Sequence, residues 1–232
     1  MIGNISSIDT MGLVDGPGIR VVVFLQGCHL RCKFCHNPET WNINDKKKSW
    51  TPEQLVEFVS NYKEYFKNKG GVTFSGGEPL CQPEFLLECL KLCKKNGIHT
   101  CLDTAGFGDC YDEILDYVDL IILDIKSLNS VDYKKMTGRE MDKFIQFLDA
   151  CQKKNKKMWL RQVIIPGIND NEEYIYSLKE FVKDLKNIEK IELLPYHTMG
   201  VSKYKELGLP YSLENISDMD KERCKYLESL LK

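Results

Sequence analysis

From Gly18 to Leu194 the chain keeps one rhythm: a short run rich in valine, isoleucine and leucine, then a longer stretch with apolar residues at helical spacing. That alternation marks repeated βα units, because neighbouring parallel strands need a crossover long enough to hold a helix. Strands are predicted at residues 19–26, 71–75, 99–103, 120–125, 158–165 and 188–194. Helices are predicted at residues 51–67, 84–96, 111–117, 141–154 and 171–185, with a C-terminal helix near 220–231. The punctuation agrees, since Thr51, Pro52, Glu53 and Gln54 supply an N-cap, a first-turn proline and an early acid, and Asn96-Gly97 is a helix stop. The predicted fold is α/β on a parallel sheet. Six units and the C-terminal helix account for all 232 residues as a single domain, 1–232, and are too few to close an eight-stranded barrel.

Charge excludes some partners. Lys and Arg number 32 against 34 Asp and Glu, a net charge of -2, so no overall field draws the protein to nucleic acid or to an anionic membrane. Two lysine-rich runs, 46–48 and 153–157, lack interleaved aromatics and read as solvated loops. Residues 1–10 do not resemble a targeting segment, and no stretch approaches the roughly 18 apolar residues of a membrane span, so a cytoplasmic protein is predicted.

The ten cysteines fall into two groups. Cys81, Cys89, Cys93, Cys101, Cys110, Cys151 and Cys224 are scattered and read mostly as reduced thiols acting as small hydrophobes. Cys28, Cys32 and Cys35 crowd into eight residues directly after the first predicted strand, at the end where α/β folds gather ligands. One loop can wrap three thiolates around an iron-sulfur cluster, leaving a fourth iron without an obvious cysteine and open to a cosubstrate. The competing reading is a structural zinc knot completed by His29 or His36, within a protein whose role is interaction and not catalysis.

Polar residues recur at the ends of the later strands. Gly76-Gly77-Glu78-Pro79 follows the second, where paired glycines let backbone approach a ligand and a carboxylate can accept from an amine; a tight turn is the plainer alternative. Asp103 and Thr104 follow the third, Asp124 and Lys126 close the fourth, Arg161 interrupts the fifth and His197 follows the sixth. Charges at such positions need partners, and these could simply pair with one another. Their common rim favours a site.

Taken together, the CxxxCxxC loop and the GGEP turn resemble the radical S-adenosylmethionine superfamily. Residues 14–20, Cys35-His36-Asn37, residues 100–104 and residues 191–197 resemble more closely the glycyl-radical-enzyme activases, the activating enzymes of pyruvate formate-lyase in particular. The resemblance implies a partial (β/α)6, TIM-like barrel and a [4Fe-4S] cluster on Cys28, Cys32 and Cys35, with one iron free of cysteine. It implies that Phe34 and His36 lie near the adenosyl group of S-adenosylmethionine. Gly76, Gly77 and Glu78 would contact the methionyl amine, and Asp103, Asp124, Lys126 and His197 would complete the cosubstrate site. Arg161 would face the cosubstrate or the substrate loop. Asp103, Thr104 and Asp124 match positions that hold a monovalent cation, and Asp15 and Arg20 are weaker candidates near the mouth.

The implied reaction is reductive cleavage of S-adenosylmethionine, after which the 5'-deoxyadenosyl radical takes hydrogen from a glycine of pyruvate formate-lyase. An external donor of flavodoxin or ferredoxin type and a monomeric state are implied as well. No general acid or base is required, so no catalytic dyad is assigned. Activation of another glycyl-radical enzyme, such as anaerobic ribonucleotide reductase, is the nearest alternative, followed by radical chemistry on a small molecule. The absence of cysteine between Cys35 and Gly76 argues against an auxiliary cluster module at that point.

Overall fold

The computed structural model describes residues 1–45 and 48–231. Among them eight strands form one sheet: β1 (Gly3–Gly12), β2 (Arg20–Leu25), β3 (Lys48–Trp50), β4 (Gly71–Gly76), β5 (His99–Thr104), β6 (Leu120–Asp124), β7 (Met158–Ile164) and β8 (Ile188–Pro195). Their order is β3-β1-β2-β4-β5-β6-β7-β8, with two free ends, so the sheet is open. The six strands from β2 to β8 in that order pair in parallel throughout. These are the six predicted strands.

Around the sheet lie α1 (Pro52–Ser60), α2 (Lys63–Phe66), α3 (Pro83–Lys95), α4 (Asp112–Tyr117), α5 (Ser130–Thr137), α6 (Asp142–Lys153), α7 (Glu172–Val182), α8 (Val201–Glu206) and α9 (Lys221–Ser229). Central strands are covered on both faces, which is why Val21, Val22 and Val23 are consecutive and all fully buried. Each longer helix turns one stripe inward; α3 buries Phe85, Leu86, Cys89, Leu90 and Cys93. A capping box starts α1, where the Thr51 hydroxyl accepts from the Gln54 N–H and the Gln54 side chain accepts from the Thr51 N–H. Asn129, Asn171 and Asp220 cap α5, α7 and α9 in the simpler way. The main core runs from Ile5 to Leu227.

The structure corrects the sequence reading in four places. β1 and β3 are antiparallel additions beside β2 that were not predicted. β1 alternates half-exposed polar residues with few apolar ones, so its segment lacks the dense apolar run of a central strand. The helix predicted at 51–67 is two helices, because tightened bonds from the Asn61 and Tyr62 N–H groups to the Phe58 and Val59 carbonyls end α1. α5 and α8 were missed: α5 buries only Tyr133 and Thr137, and α8 only Tyr204, too little to show a periodic stripe. Finally, Cys110 is exposed with a left-handed backbone and is no core hydrophobe.

Of the lysine run at 46–48, Lys46 and Lys47 lie outside the described residues and Lys48 begins β3. In the second run, Lys154 and Lys157 pair with Asp116 and Glu189 at the surface. Among the described residues, no helix is long and apolar enough to cross a membrane.

Candidate active site

The loop after β2 is held by backbone rather than by its own regularity. The N–H groups of Gly27 and Cys28 bond the carbonyls of Thr40 and Trp41 at 2.7 and 3.2 Å, and those of Arg31 and Lys33 bond Thr137 and Met136 at the end of α5 at 2.7 and 2.9 Å. The Arg31 guanidinium closes the loop on itself by donating to the carbonyls of Cys28 and Leu30, both at 2.7 Å. The Tyr204 hydroxyl donates to the Cys35 carbonyl at 3.0 Å. The missed helices α5 and α8 therefore brace the cysteine loop.

Cys28, Cys32 and Cys35 border a cavity of about 230 Å³ together with residues from the C-terminal ends of β4 to β8. The curl of the open sheet is what brings Gly76 and Leu194 to the same cavity. Burial raises all three thiols above their ordinary pKa, Cys32 to about 12, even with Lys126 pulling in the other direction. Cysteine ligates metal as thiolate, so a metal centre bound here would displace all three protons. Among the described residues, no three His, Cys, Asp or Glu side chains converge on one point as a single ion needs. Three thiols bordering one cavity without sharing a point suit a cluster, which offers each thiolate its own iron. A zinc knot fits less well, because His29 is exposed and the His36 Nε2 already meets the His197 carbonyl at 2.9 Å.

The GGEP turn packs against this loop. A Cβ on Gly77 would lie 2.3 Å from the Gly27 carbonyl oxygen, and Gly76 has φ of 113°, so glycine is required at both positions for distinct reasons. Glu78 is buried behind the cavity. Its Oε1 accepts from the Leu80 N–H at 3.1 Å and the Thr104 hydroxyl at 2.6 Å, and its Oε2 accepts from the Ala105 N–H at 2.9 Å. Burial pushes its pKa up to about 7 despite these donors. The carboxylate thus ties the turn after β4 to the turn after β5.

Asp103 accepts from the Ser75 hydroxyl at 2.7 Å, and burial with the nearby Asp124 charge lifts its pKa to about 6. Lys126 pairs with Asp124 at 2.6 Å and sits 5.3 Å from the centre of the Phe34 ring. Burial alone would lower the Lys126 pKa, but the carboxylate of Asp124, with Asp103 behind it, more than offsets that, so the ammonium stays charged. Arg161 lines the cavity from β7, where its Nε donates to Glu192 Oε2 at 3.1 Å. His36 and His197 stack at 4.0 Å, and burial lowers the His36 pKa. His197 stands behind His36 and does not border the cavity; its buried Nδ1 has no hydrogen-bond partner among the described residues.

Thr104 borders the cavity, but its hydroxyl is engaged with Glu78 and with the Gly106 N–H. Arg20 is not near the mouth. It is fully buried at the opposite end of the sheet, donating to Thr73 Oγ1 and to the carbonyls of Pro17, Val72 and His99. Asp15 is half-buried nearby, its carbonyl accepting from the Thr73 hydroxyl at 2.6 Å. Residues that sequence reasoning missed are Ser75, Trp41, Val163 and Leu194, all on the cavity wall. Strand alternation could have found two of them, since Val163 lies two residues beyond Arg161 and pairs with Leu194 across β7 and β8.

The family model described as the Radical SAM superfamily matches residues 22–189. The chain is 52% identical to a pyruvate formate-lyase-activating enzyme of Clostridium pasteurianum, over 100% of this chain and 98% of that one. It is 44% identical to the enzyme of the same name from Staphylococcus epidermidis, over 96% of this chain and 92% of the relative. Among solved structures, a domain of pyruvate-formate lyase-activating enzyme from Bacteroides vulgatus aligns with a TM-score of 0.56 at 28% identity, covering 70% of this chain and 92% of that one. With its three-thiol loop and strand-end rim on one cavity, the chain belongs to the radical SAM superfamily, in the family of the pyruvate formate-lyase-activating enzymes.

Proposed function

We propose that this chain is an activating enzyme whose protein substrate is pyruvate formate-lyase. The observation that carries the reading is the cavity shared by three loop thiols and the ends of the five parallel strands β4 to β8. Cys28, Cys32 and Cys35 would hold three irons of a [4Fe-4S] cluster, leaving the fourth for the amino and carboxylate groups of S-adenosylmethionine. A cluster held there would supply the electron for reductive cleavage of S-adenosylmethionine, the chemistry that leads to hydrogen abstraction from a glycine of the partner.

The chain's own contribution is binding, orientation and exclusion of water. The backbone of Gly76 and Gly77 receives the methionyl amine, with Glu78 fixing the turn from behind. Phe34 and His36 flank the adenosyl group, with His197 stacked behind His36, and the paired Val163 and Leu194 offer it an apolar wall. Asp103 and Asp124 face Lys126 and Arg161 across the cavity, so carboxylates and cations both stand ready for the charged groups of the cosubstrate. The same acids with Thr104 are the proposed seat of a monovalent cation. We read residues 1–232 as one domain that works as a cytoplasmic monomer, reduced by a donor of flavodoxin or ferredoxin type.

The test is electron paramagnetic resonance of the reduced, reconstituted protein mixed anaerobically with S-adenosylmethionine and a pyruvate formate-lyase from the same source. A glycyl-radical signal is expected. Methionine and 5'-deoxyadenosine accumulating without that signal would mean a different partner, and no cleavage at all would sink the reading.

A further inference from the structure

Tyr133 lies on α5, one turn before the residues that brace the cysteine loop. The carbonyls of Met136 and Thr137 accept from the Lys33 and Arg31 N–H groups at 2.9 and 2.7 Å, and the Thr137 hydroxyl donates to the Tyr133 carbonyl at 2.7 Å. The Tyr133 side chain is fully buried, and its ring packs on Phe144 with 5.9 Å between centres. Its hydroxyl nevertheless has no hydrogen-bond partner among the described residues. A hydroxyl taken out of water without a partner is costly, and phenylalanine would fill the same space without that cost. Gln26 and Glu39 also carry a partnerless oxygen, but Gln26 donates to two carbonyls and Glu39 accepts from Lys203 through its other oxygen. Tyr133 has no second side-chain polar atom to use.

The surroundings of the hydroxyl narrow its partner. Burial holds the phenol in its protonated, donating form, and after burial the groups that bear on it are Cys32, Lys126, Glu78 and Cys28, in that order. Lys126 has only donors to offer and is held by Asp124 at 2.6 Å. Glu78 already accepts from Leu80, Thr104 and Ala105. The cysteine sulfurs remain. A protonated thiol is a weak acceptor, whereas a thiolate takes an O–H donor well, and thiolate is the form in which these cysteines would hold iron. Of the two, Cys32 bears on the phenol more strongly.

We infer that the Tyr133 hydroxyl is a hydrogen-bond donor to the cluster through the Cys32 sulfur, and that it helps to set the potential at which the cluster takes up its electron. The inference deepens the cluster reading given above and rests on it. A donor aimed at a ligand sulfur favours the more negative state, so Tyr133 raises the reduction potential and makes the centre easier to reduce. Burial shields the bond from competing water, which strengthens it. Tyr133 does not border the cosubstrate cavity, so it acts from behind the cysteine loop.

The test compares Tyr133→Phe with the wild type in the full chain, before and after cluster reconstitution. In the cluster-free protein the urea midpoint of Tyr133→Phe is expected to be no lower than that of the wild type, because nothing there bonds the hydroxyl. A lower midpoint would show that the protein or a buried water already satisfies it, and overturns the inference. In the reconstituted protein without S-adenosylmethionine, redox titration followed by electron paramagnetic resonance of the reduced cluster is expected to give Tyr133→Phe the lower potential. At a fixed applied potential its ratio of oxidised to reduced cluster rises about tenfold, a shift of about 59 mV for one electron. Phe144→Leu loosens the same packing but keeps the hydroxyl, so it is expected to lower the urea midpoint and keep the wild-type potential. An equal shift in Phe144→Leu would assign the effect to packing and overturn the inference. Equal potentials in Tyr133→Phe and wild type, at equal iron and sulfide content, overturn it and leave the cluster assignment standing. A wild type that assembles no cluster defeats that assignment as well, so the two failures are told apart.

Discussion

Replacing Gly77 by alanine adds one methyl group where the fold has no space. The new Cβ would lie 2.3 Å from the Gly27 carbonyl oxygen, 2.8 Å from its carbon and 3.1 Å from the Thr40 carbonyl oxygen. All three are backbone atoms, and they are tied together: the Gly27 N–H bonds the Thr40 carbonyl at 2.7 Å, and the Gly27 carbonyl accepts from the Glu78 N–H at 2.9 Å. Relief requires the cysteine loop and the GGEP turn to separate, with loss of at least the second bond. Overpacking with that loss predicts a destabilisation of about 3 kcal/mol. Gly208 is the control, because it has φ of 65° and no described atom within 4 Å of its Cβ position, so Gly208→Ala meets only backbone strain of about 1 kcal/mol. The assay is urea unfolding of the two cluster-free variants, followed by iron content after reconstitution. Gly77→Ala is expected to unfold earlier than Gly208→Ala and to retain less iron, because Cys28 adjoins the displaced Gly27. A Gly77→Ala protein as stable as Gly208→Ala would refute the steric argument.

Three further outcomes follow from the site. Alanine at Cys28, Cys32 or Cys35 is expected to abolish cleavage of S-adenosylmethionine, measured as 5'-deoxyadenosine formed; full cleavage by any of the three would remove that cysteine from the cluster. Glu78 holds its proton more tightly folded than unfolded, so its contribution to stability is fully present below about pH 4.5 and is lost as pH rises through about 7. Its share of that fall is about 3 kcal/mol by linkage, and Glu78→Gln should lack it; urea midpoints that change equally between pH 5 and 7 in both proteins would contradict this. Lys126→Met breaks a mostly buried ion pair and should destabilise the cluster-free protein by about 3 kcal/mol. Asp103 would then titrate higher still, and an unchanged denaturation midpoint would show that Asp124 finds other compensation.

The linear chain determined more here than the parallel strands alone. Six apolar runs announced β2 and β4 to β8, because a strand covered on both faces must be apolar at nearly every position, and Val21 to Val23 obey that rule. The cysteine loop and the GGEP turn were legible because their chemistry depends on residue type at fixed local spacing. Elements that do not bury a periodic face left no such signal: β1 is half exposed, α5 and α8 bury one or two residues each, and all three are recognised by what they pack against.

Direction and distance were decided by the tertiary structure alone. Sequence placed Glu78 after the second strand, Arg161 within the fifth, and Arg20 as a weaker candidate near the mouth. The fold puts Glu78 behind the cavity, Arg20 at the far end of the sheet and Arg161 between the cavity acids and Val14. Residue type and spacing fix which chemistry a segment can offer. The curl of an open sheet, and the partners that burial forces each charge to find, fix which of those offers meet in one place.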